Sequence, residues 1–238
     1  MHPQTTGTLY LFPNFLDESN GISHLQSRVI DIAGPVDHYI GETEKNIRAF
    51  VKKILPGKAQ SELKIELLNE HNAGSDLKTL INPLLGGKDI ALLSDAGMPC
   101  IADPGYQVVR LCHQANITVV PLAGPSSILL TLVASGFTGQ QFTFHGYLPY
   151  EKLQRQKKIK QMEVEANVRN YTQVFMEAPY RNNQLLKELL ETCESRTILC
   201  AGVALTSPKE QIITQPISAW KKMKIDLHKI PVMFAIGK

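Results

Sequence analysis

The chain has 238 residues, 43% hydrophobic and 20% charged, enough to bury a sizeable core as one large domain or two small ones. Lys plus Arg is 25 against 22 Asp plus Glu, and the resulting +3 is too small an excess to argue for nucleic acid by itself. The four cysteines, Cys100, Cys112, Cys193 and Cys200, form no CxxC pair and have no His at zinc-finger distance, so reduced core thiols and no metal site are expected.

In chain order, GTLYLFP reads as a short buried strand cut off by Pro13. Residues 22–34 have helical spacing and stop at Gly34 and Pro35. HYIGE is a brief strand, and 43–55 an amphipathic helix closed by Pro56 and Gly57. KIELLNE (64–70) follows as a strand, SDLKTLINPLL as a helix and DIALL as a strand. DPGYQVVRLCHQA reads as a helix with Asp103 as N-cap and Pro104 at its first position. TVVPL (118–122) is the next strand, and 123–136 a helix ended by Gly136.

Beyond that come QFTFHGYLP, a charged helix over 150–167, TQVFMEAP, and RNNQLLKELLETC. RTILCAGVA, QIITQPISAW and PVMFAIG follow as strands with little helix between them. Alternating strands and helices in the first half argue a mainly parallel sheet, and the short connections in the second a mixed one. The pattern predicts an N-terminal α/β domain over 1–122 and a C-terminal α/β domain over 123–238. The first residues lack the basic and apolar regions of a signal peptide, and ILLTLVA is too short to span a bilayer. A reducing, cytoplasmic setting without membrane contact is expected.

Ligands of open parallel sheets sit beyond the carboxyl ends of the strands. Three loops lie at such ends: FPNFLD, LLSDAGMPCIADPG and VVPLAGPSS. The last two carry small residues that let a ligand reach the backbone, and both open helices. The alternative is ordinary turn and capping chemistry. No GxGxxG follows the first strand and no GxxxxGK[ST] occurs. In GETEKN, Glu42 is a candidate site carboxylate, against a plain helix start capped by Thr43 with Glu44 favouring the dipole. NEHN offers His71 as a catalytic group or a hydrogen-bonding loop residue. MEAPYRN puts Met176 and Glu177 in a cleft, or merely starts a helix at Tyr180 and Arg181. Lys152, Arg155, Lys157, Lys158 and Lys160 make either a solvated helix face or a phosphate-binding patch, and KKMK at 221–224 is a second basic run.

SDAGMPCIADPGYQVVR, VVPLAGPSS and ASGFTGQQFTFHGYLP, in that order and spacing, resemble the blocks of the bacterial 16S rRNA 2′-O-ribose methyltransferase I family, within the tetrapyrrole (corrin and porphyrin) methylase superfamily. NEHN and VFMEAPYR are weaker matches to either side. The resemblance implies two α/β domains with S-adenosylmethionine in the cleft between them, small-subunit ribosomal RNA as substrate, and a homodimer. It also implies cofactor contacts at Asp95, Ala96, Gly97, Met98 and Ile101, at Pro13, at Ser126 and Ser127, and at Met176 and Leu205. Glu42 and His71 are the candidate bases for a ribose hydroxyl. Where the family has a TPIGN-like loop this chain has FPNFLD, where relatives carry EDTR it reads ETEK, and the family's longer C-terminal portion is shortened. A tetrapyrrole-like or other small-molecule substrate, or cofactor binding without catalysis, are the competing readings.

Overall fold

The computed structural model describes residues 6–17, 19, 22–68 and 77–238. The chain divides into two compact units, Met1–Pro125 and Ser126–Lys238.

In the first unit the elements are β1 (Thr8–Phe12), a 3-10 turn over Ile22–His24, α1 (Ser27–Ala33), β2 (His38–Gly41), α2 (Glu44–Ile54), a second 3-10 turn over Gln60–Glu62 and β3 (Lys64–Leu67). A third 3-10 turn over Leu77–Ile81 leads into α3 (Asn82–Leu85), then β4 (Ile90–Leu93), α4 (Tyr106–Gln114) and β5 (Thr118–Pro121). The sheet order is β3-β2-β4-β1-β5 and every pairing is parallel. Phe12, Tyr39, Ala91 and Leu93 pack on one face with Val29, Phe50 and Val51 of α1 and α2. Leu9, Ile40, Ile90 and Leu92 pack on the other with Leu84, Val108 and Cys112. Burial on both faces is why DIALL reads as an unbroken apolar run.

Several sequence expectations change here. The helix foreseen from residue 22 is a 3-10 turn followed by α1, because the backbone is extended at Gln26 (φ −70°, ψ 144°). The helix foreseen over 75–85 is a 3-10 turn and the four-residue α3; Pro83, with no N–H to give, sits in the first turn of that new helix. Helix α4 starts at Tyr106, after Gly105, so Asp103 is not its N-cap and Pro104 is not its first residue.

The second unit contains α5 (Ser127–Ser135), β6 (Phe142–Tyr147), α6 (Lys152–Arg169), β7 (Thr172–Met176), a 3-10 turn over Pro179–Arg181 and α7 (Asn182–Thr192). It closes with β8 (Ile198–Val203), β9 (Gln211–Pro216), the single-turn α8 (Ile217–Trp220) and β10 (Val232–Gly237). The sheet order is β6-β7-β10-β8-β9, with β6 parallel to β7 and the other pairs antiparallel. QIITQPISAW is thus strand only as far as Pro216; Ile217 and Trp220 then turn inward and are buried. Phe175, Leu199, Ala201, Phe234 and Ile236 pack on one face with α6 and α7, and Val174, Cys200, Met233 and Ala235 on the other with Leu132 of α5.

The charged helix does not present all its cations to water. Arg155 is 4% exposed. Its Nε and Nη2 donate to the two carboxylate oxygens of Glu188 at 2.7 Å each, and its Nη1 donates to the carbonyls of Pro149 and Tyr150. Lys160 pairs with the buried Glu163, whose other oxygen takes the Thr197 hydroxyl and the Glu194 N–H. Lys152, Lys157 and Lys158 form no ion pair among the described residues.

Candidate cofactor and active site

The polar residues of the first unit gather at the carboxyl edge of its parallel sheet. Strand β1 ends in Pro13–Asn14, β2 in Glu42–Thr43, β4 in the loop Ser94–Gly105, and β5 in Leu122–Pro125. The buried Asn14 ties two of these loops together. Its side-chain amide donates to the carbonyls of Ser94 (2.9 Å) and Asp95 (3.2 Å), while its backbone N–H donates to Gly97 O at 2.8 Å. The Ser94 hydroxyl donates to the carbonyls of Ala96 and Gly97, closing the loop on itself. At Gly124 an added Cβ would stand 2.0 Å from Pro13 Cβ, so the Pro13 ring lies directly on that backbone and only glycine fits.

The loop after β4 carries its own constraint. Gly97 has φ +69°, and a side chain there would press on Leu16 and on the Pro125 carbonyl. Cys100 (φ 70°) and Ala102 (φ 62°) adopt the left-handed region without being glycine, a cost of about 1–3 kcal/mol each that surrounding contacts must offset. One such contact is Asp103, whose carboxylate accepts the Gly105 N–H at 2.7 Å. Burial pushes the Asp103 carboxyl above its ordinary range, while N–H groups of Gly105, Cys100 and Ile101 pull it back. Burial, with Asp103 nearby, also pushes the Cys100 thiol up to about 12. The outer side of the loop is open, with Asp95, Ala96, Ile101 and Ala102 all exposed.

Glu42 and Thr43 belong to this arrangement. The Thr43 hydroxyl makes no cap bond to α2 and instead donates to Asp95 Oδ2 at 2.9 Å. Glu42 Oε1 accepts the Asp95 N–H at 3.2 Å. The expected cap at Thr43 is therefore replaced by a bridge from the end of β2 to the end of β4. A pocket of about 140 Å³ adjoins it, lined by Asn14, Phe15, Asn46, Phe50, Lys53 and Asp95. His71 lies outside the described residues.

The remaining predicted contacts lie in the second unit, at one edge of its sheet. Strands β7 and β8 both run antiparallel to β10, so Met176 (opposite Met233) and Val203 (opposite Val232) end on the same side. A Cβ on Gly237 would meet the Phe137 ring at 2.2 Å, which places the C-terminal end of α5 at the far edge and its N-terminus at the near one. Ser126 caps α5, its Oγ accepting from Leu129 N at 3.4 Å, and the half-buried Ser127 follows. Leu205 is buried in the turn after β8, between Ala204 (φ 47°) and Thr206 (φ 67°). Ser126, Ser127, Met176 and Leu205 thus share an edge.

Pro13, Glu42 and the 95–101 loop all stand at carboxyl ends of strands in the first unit; the bracing by Asn14 and Ser94 and the bond from Thr43 to Asp95 were not foreseen from the sequence. The available signal was an Asn one residue past a strand end, next to Pro, in a loop otherwise apolar up to Asp17.

The family model described as tetrapyrrole (corrin/porphyrin) methylases matches residues 27–220. The chain is 30% identical over 216 residues to the ribosomal RNA small subunit methyltransferase I of Vibrio cholerae, spanning 91% of this chain and 71% of that protein. To the protein of the same name from Bacillus subtilis it is 35% identical over 213 residues, 89% of this chain and 68% of the relative. Among solved structures, uroporphyrin-III-C-methyltransferase from Thermus thermophilus matches with a TM-score of 0.56 at 18% identity, covering 98% of this chain and 92% of that one, a likeness of fold alone. With the expected pair of α/β units in place, a parallel sheet followed by a mixed one, the chain belongs to the ribosomal RNA small subunit methyltransferase I family of the tetrapyrrole methylases and is an S-adenosylmethionine-dependent methyltransferase.

Proposed function

We propose that this methyltransferase acts on a ribose 2′-hydroxyl of small-subunit ribosomal RNA, with S-adenosylmethionine held against the 94–101 loop. The observation that carries the cofactor assignment is the loop itself: backbone fixed from behind by Asn14, Ser94 and Asp103, and small or exposed side chains in front. Support for the RNA comes from the relatives, both small-subunit ribosomal RNA methyltransferases by name. In this reading the cofactor contacts proposed are Pro13, Asp95, Ala96, Gly97, Met98 and Ile101, together with Ser126, Ser127, Met176 and Leu205.

When bound, the cofactor supplies a methyl group on a sulfonium, already electrophilic. The chain then has to hold the loop still, exclude water and take up the proton of a weakly acidic hydroxyl. Glu42 and His71 are the proton acceptors proposed. Glu42→Gln keeps an oxygen for the Asp95 N–H but loses basicity. A fall in kcat with unchanged cofactor affinity assigns Glu42 as the base; weakened cofactor binding assigns it to bracing the loop; no change leaves His71.

The decisive experiment is methyl transfer from labelled S-adenosylmethionine to small subunits isolated without the modification, with the product mapped to a ribose. Methyl transfer to a tetrapyrrole and not to the subunit overturns the RNA reading. Cofactor binding without transfer to either overturns catalysis. We further propose a cytoplasmic homodimer, which light scattering of the purified chain tests.

A further inference from the structure

We propose that Tyr150, Tyr180 and Arg181 of the second unit form a stacking platform for an unpaired base of the RNA substrate, with Lys152 beside it for the neighbouring phosphate. This rests on the reading that the substrate is RNA, and adds where and how the second unit grips it.

Tyr150 is 83% exposed and Tyr180 63%. A single exposed ring is ordinary on a protein surface, but here two lie together at one place. The Arg181 guanidinium lies 5.0 Å from the Tyr150 ring centroid and 5.8 Å from that of Tyr180, so both rings flank one cation. The group is held from behind. Arg181 Nη2 pairs with Glu177 Oε1 at 2.5 Å, and the Glu177 side chain is 3% exposed. Arg181 Nε is buried and has no hydrogen-bond partner.

The backbone beneath each ring is fixed as well. The Tyr150 and Pro149 carbonyls take hydrogen bonds from Arg155, itself locked to Glu188. Tyr180 and Arg181 sit in the 3-10 turn that starts α7. Rings carried on a fixed backbone and packed against Arg181 have less freedom to lose when a base stacks on them.

Base rather than phosphate is the occupant of the rings because Glu177 already neutralises Arg181. An anion at the guanidinium would face that carboxylate, whereas a neutral base with donor and acceptor edges would not. A pocket of about 190 Å³ alongside is lined by Lys152, Glu177, Arg181 and Gln184, which offer both kinds of edge partner. Lys152 is exposed and forms no ion pair among the described residues, so it is the group for the phosphate. A duplex keeps its base faces stacked on one another, so the platform selects unpaired RNA.

The test is fluorescence anisotropy of the full chain with a labelled oligouridine, its abasic counterpart and an RNA duplex. Tyr150→Ala should weaken oligouridine binding about fivefold to a hundredfold, the range for one stacked base. It should leave duplex and cofactor binding unchanged, and Tyr150→Phe should bind like the unsubstituted chain. The abasic oligomer should bind the unsubstituted chain and Tyr150→Ala equally. Lys152→Gln should flatten the dependence of log affinity on log salt by about 0.7. Equal oligouridine binding by Tyr150→Ala and the unsubstituted chain overturns the platform and leaves RNA methylation standing. An unsubstituted chain that binds no RNA overturns both. A duplex weakened as much as the single strand overturns the base-stacking role.

Discussion

The two units differ in the polarity they bury. In the first, among the described residues, the buried polar side chains are Asn14 and Ser94, both in loops at the carboxyl edge of the sheet. In the second, all the buried charged groups, Arg155, Glu163, Glu177 and Glu188, lie with Asn182 on or beside helices, alongside buried hydroxyl and amide side chains such as Ser126, Thr172 and Gln173. A polar group costs free energy to bury wherever it is, so its location shows what that cost achieves. The first unit uses it to fix a loop at its surface. The second uses it to lock α6 to α7 and to the segment before α6, which leaves the outer face of α6 with fewer free cations than its sequence suggests.

The sharpest way to break this contrast is Arg155→Ala, which strands the Glu188 carboxylate in the interior. We expect a loss of about 3–5 kcal/mol in urea unfolding of the second unit, with much of it recovered by Arg155→Met combined with Glu188→Leu. A loss below about 1 kcal/mol would show the pair to be solvated and the contrast false.

Asn14→Ala removes the donor to two carbonyls and should cost about 1–3 kcal/mol in stability. Cofactor affinity measured by calorimetry should fall with it, while Arg155→Ala, at a temperature where it stays folded, should leave the loop geometry of the first unit intact. Asn14→Asp, which cannot donate to those carbonyls, should be no better than alanine.

Acid sharpens the comparison further. Glu188 is held below its ordinary value of 4.5, first by hydrogen bonds from Arg155, against the cost of its burial. Burial raises Glu163, but hydrogen bonds from Thr197, Lys160 and Glu194 outweigh it and leave the group below 4.5. For both, the folded value lies under the unfolded one, so their stabilisation is complete above about 4.5 and is lost as pH falls through the folded value. Asp103 has the opposite sign: raised above 3.8, its contribution is complete below that pH and is lost as pH rises through the folded value. Acid unfolding monitored by circular dichroism should therefore report the second unit first, and Glu188→Gln should flatten its pH dependence. Asp103→Asn, keeping an oxygen for the Gly105 N–H, should leave stability at neutral pH unchanged or slightly raised.

The smallest effect is chemical. Burial pushes Cys193 up to about 12 and Cys112 up to about 11, and with Cys100 also raised, iodoacetamide at neutral pH should label none of the three in the folded chain.

What could be read in advance follows the range of the interactions. Strand β4 was legible because burial on both faces writes a continuous apolar run. The loop after it was legible because its glycine and small residues occur in one contiguous block. Asn14 was not, since its partners lie 80 and 81 residues away and local pattern says nothing of them. Arg155 read as one more cation on a basic face; the carboxylate that draws it inward is 33 residues on. Asp103 had the spacing of an N-cap, but two left-handed residues just before it shift the helix start to Tyr106. For Asn14 and Arg155 a distant partner decided what a local signal left open; for Asp103 the backbone immediately before it did.

The strand order of the second unit has a consequence for how the protein is made. Its central strand, β10, is the last of the five to be synthesised, and it carries the hydrogen bonding between the β6-β7 pair and the β8-β9 pair. Before residues 232–237 leave the ribosome, the nascent chain has two separate two-stranded ribbons with open hydrogen-bonding edges. The five strands of the first unit are complete by residue 121 and can pair while the rest is still being translated. A translation arrest ahead of Val232 should thus yield a protease-resistant first half joined to a degradable second half, so that any chain able to reach its substrate has been read through to β10.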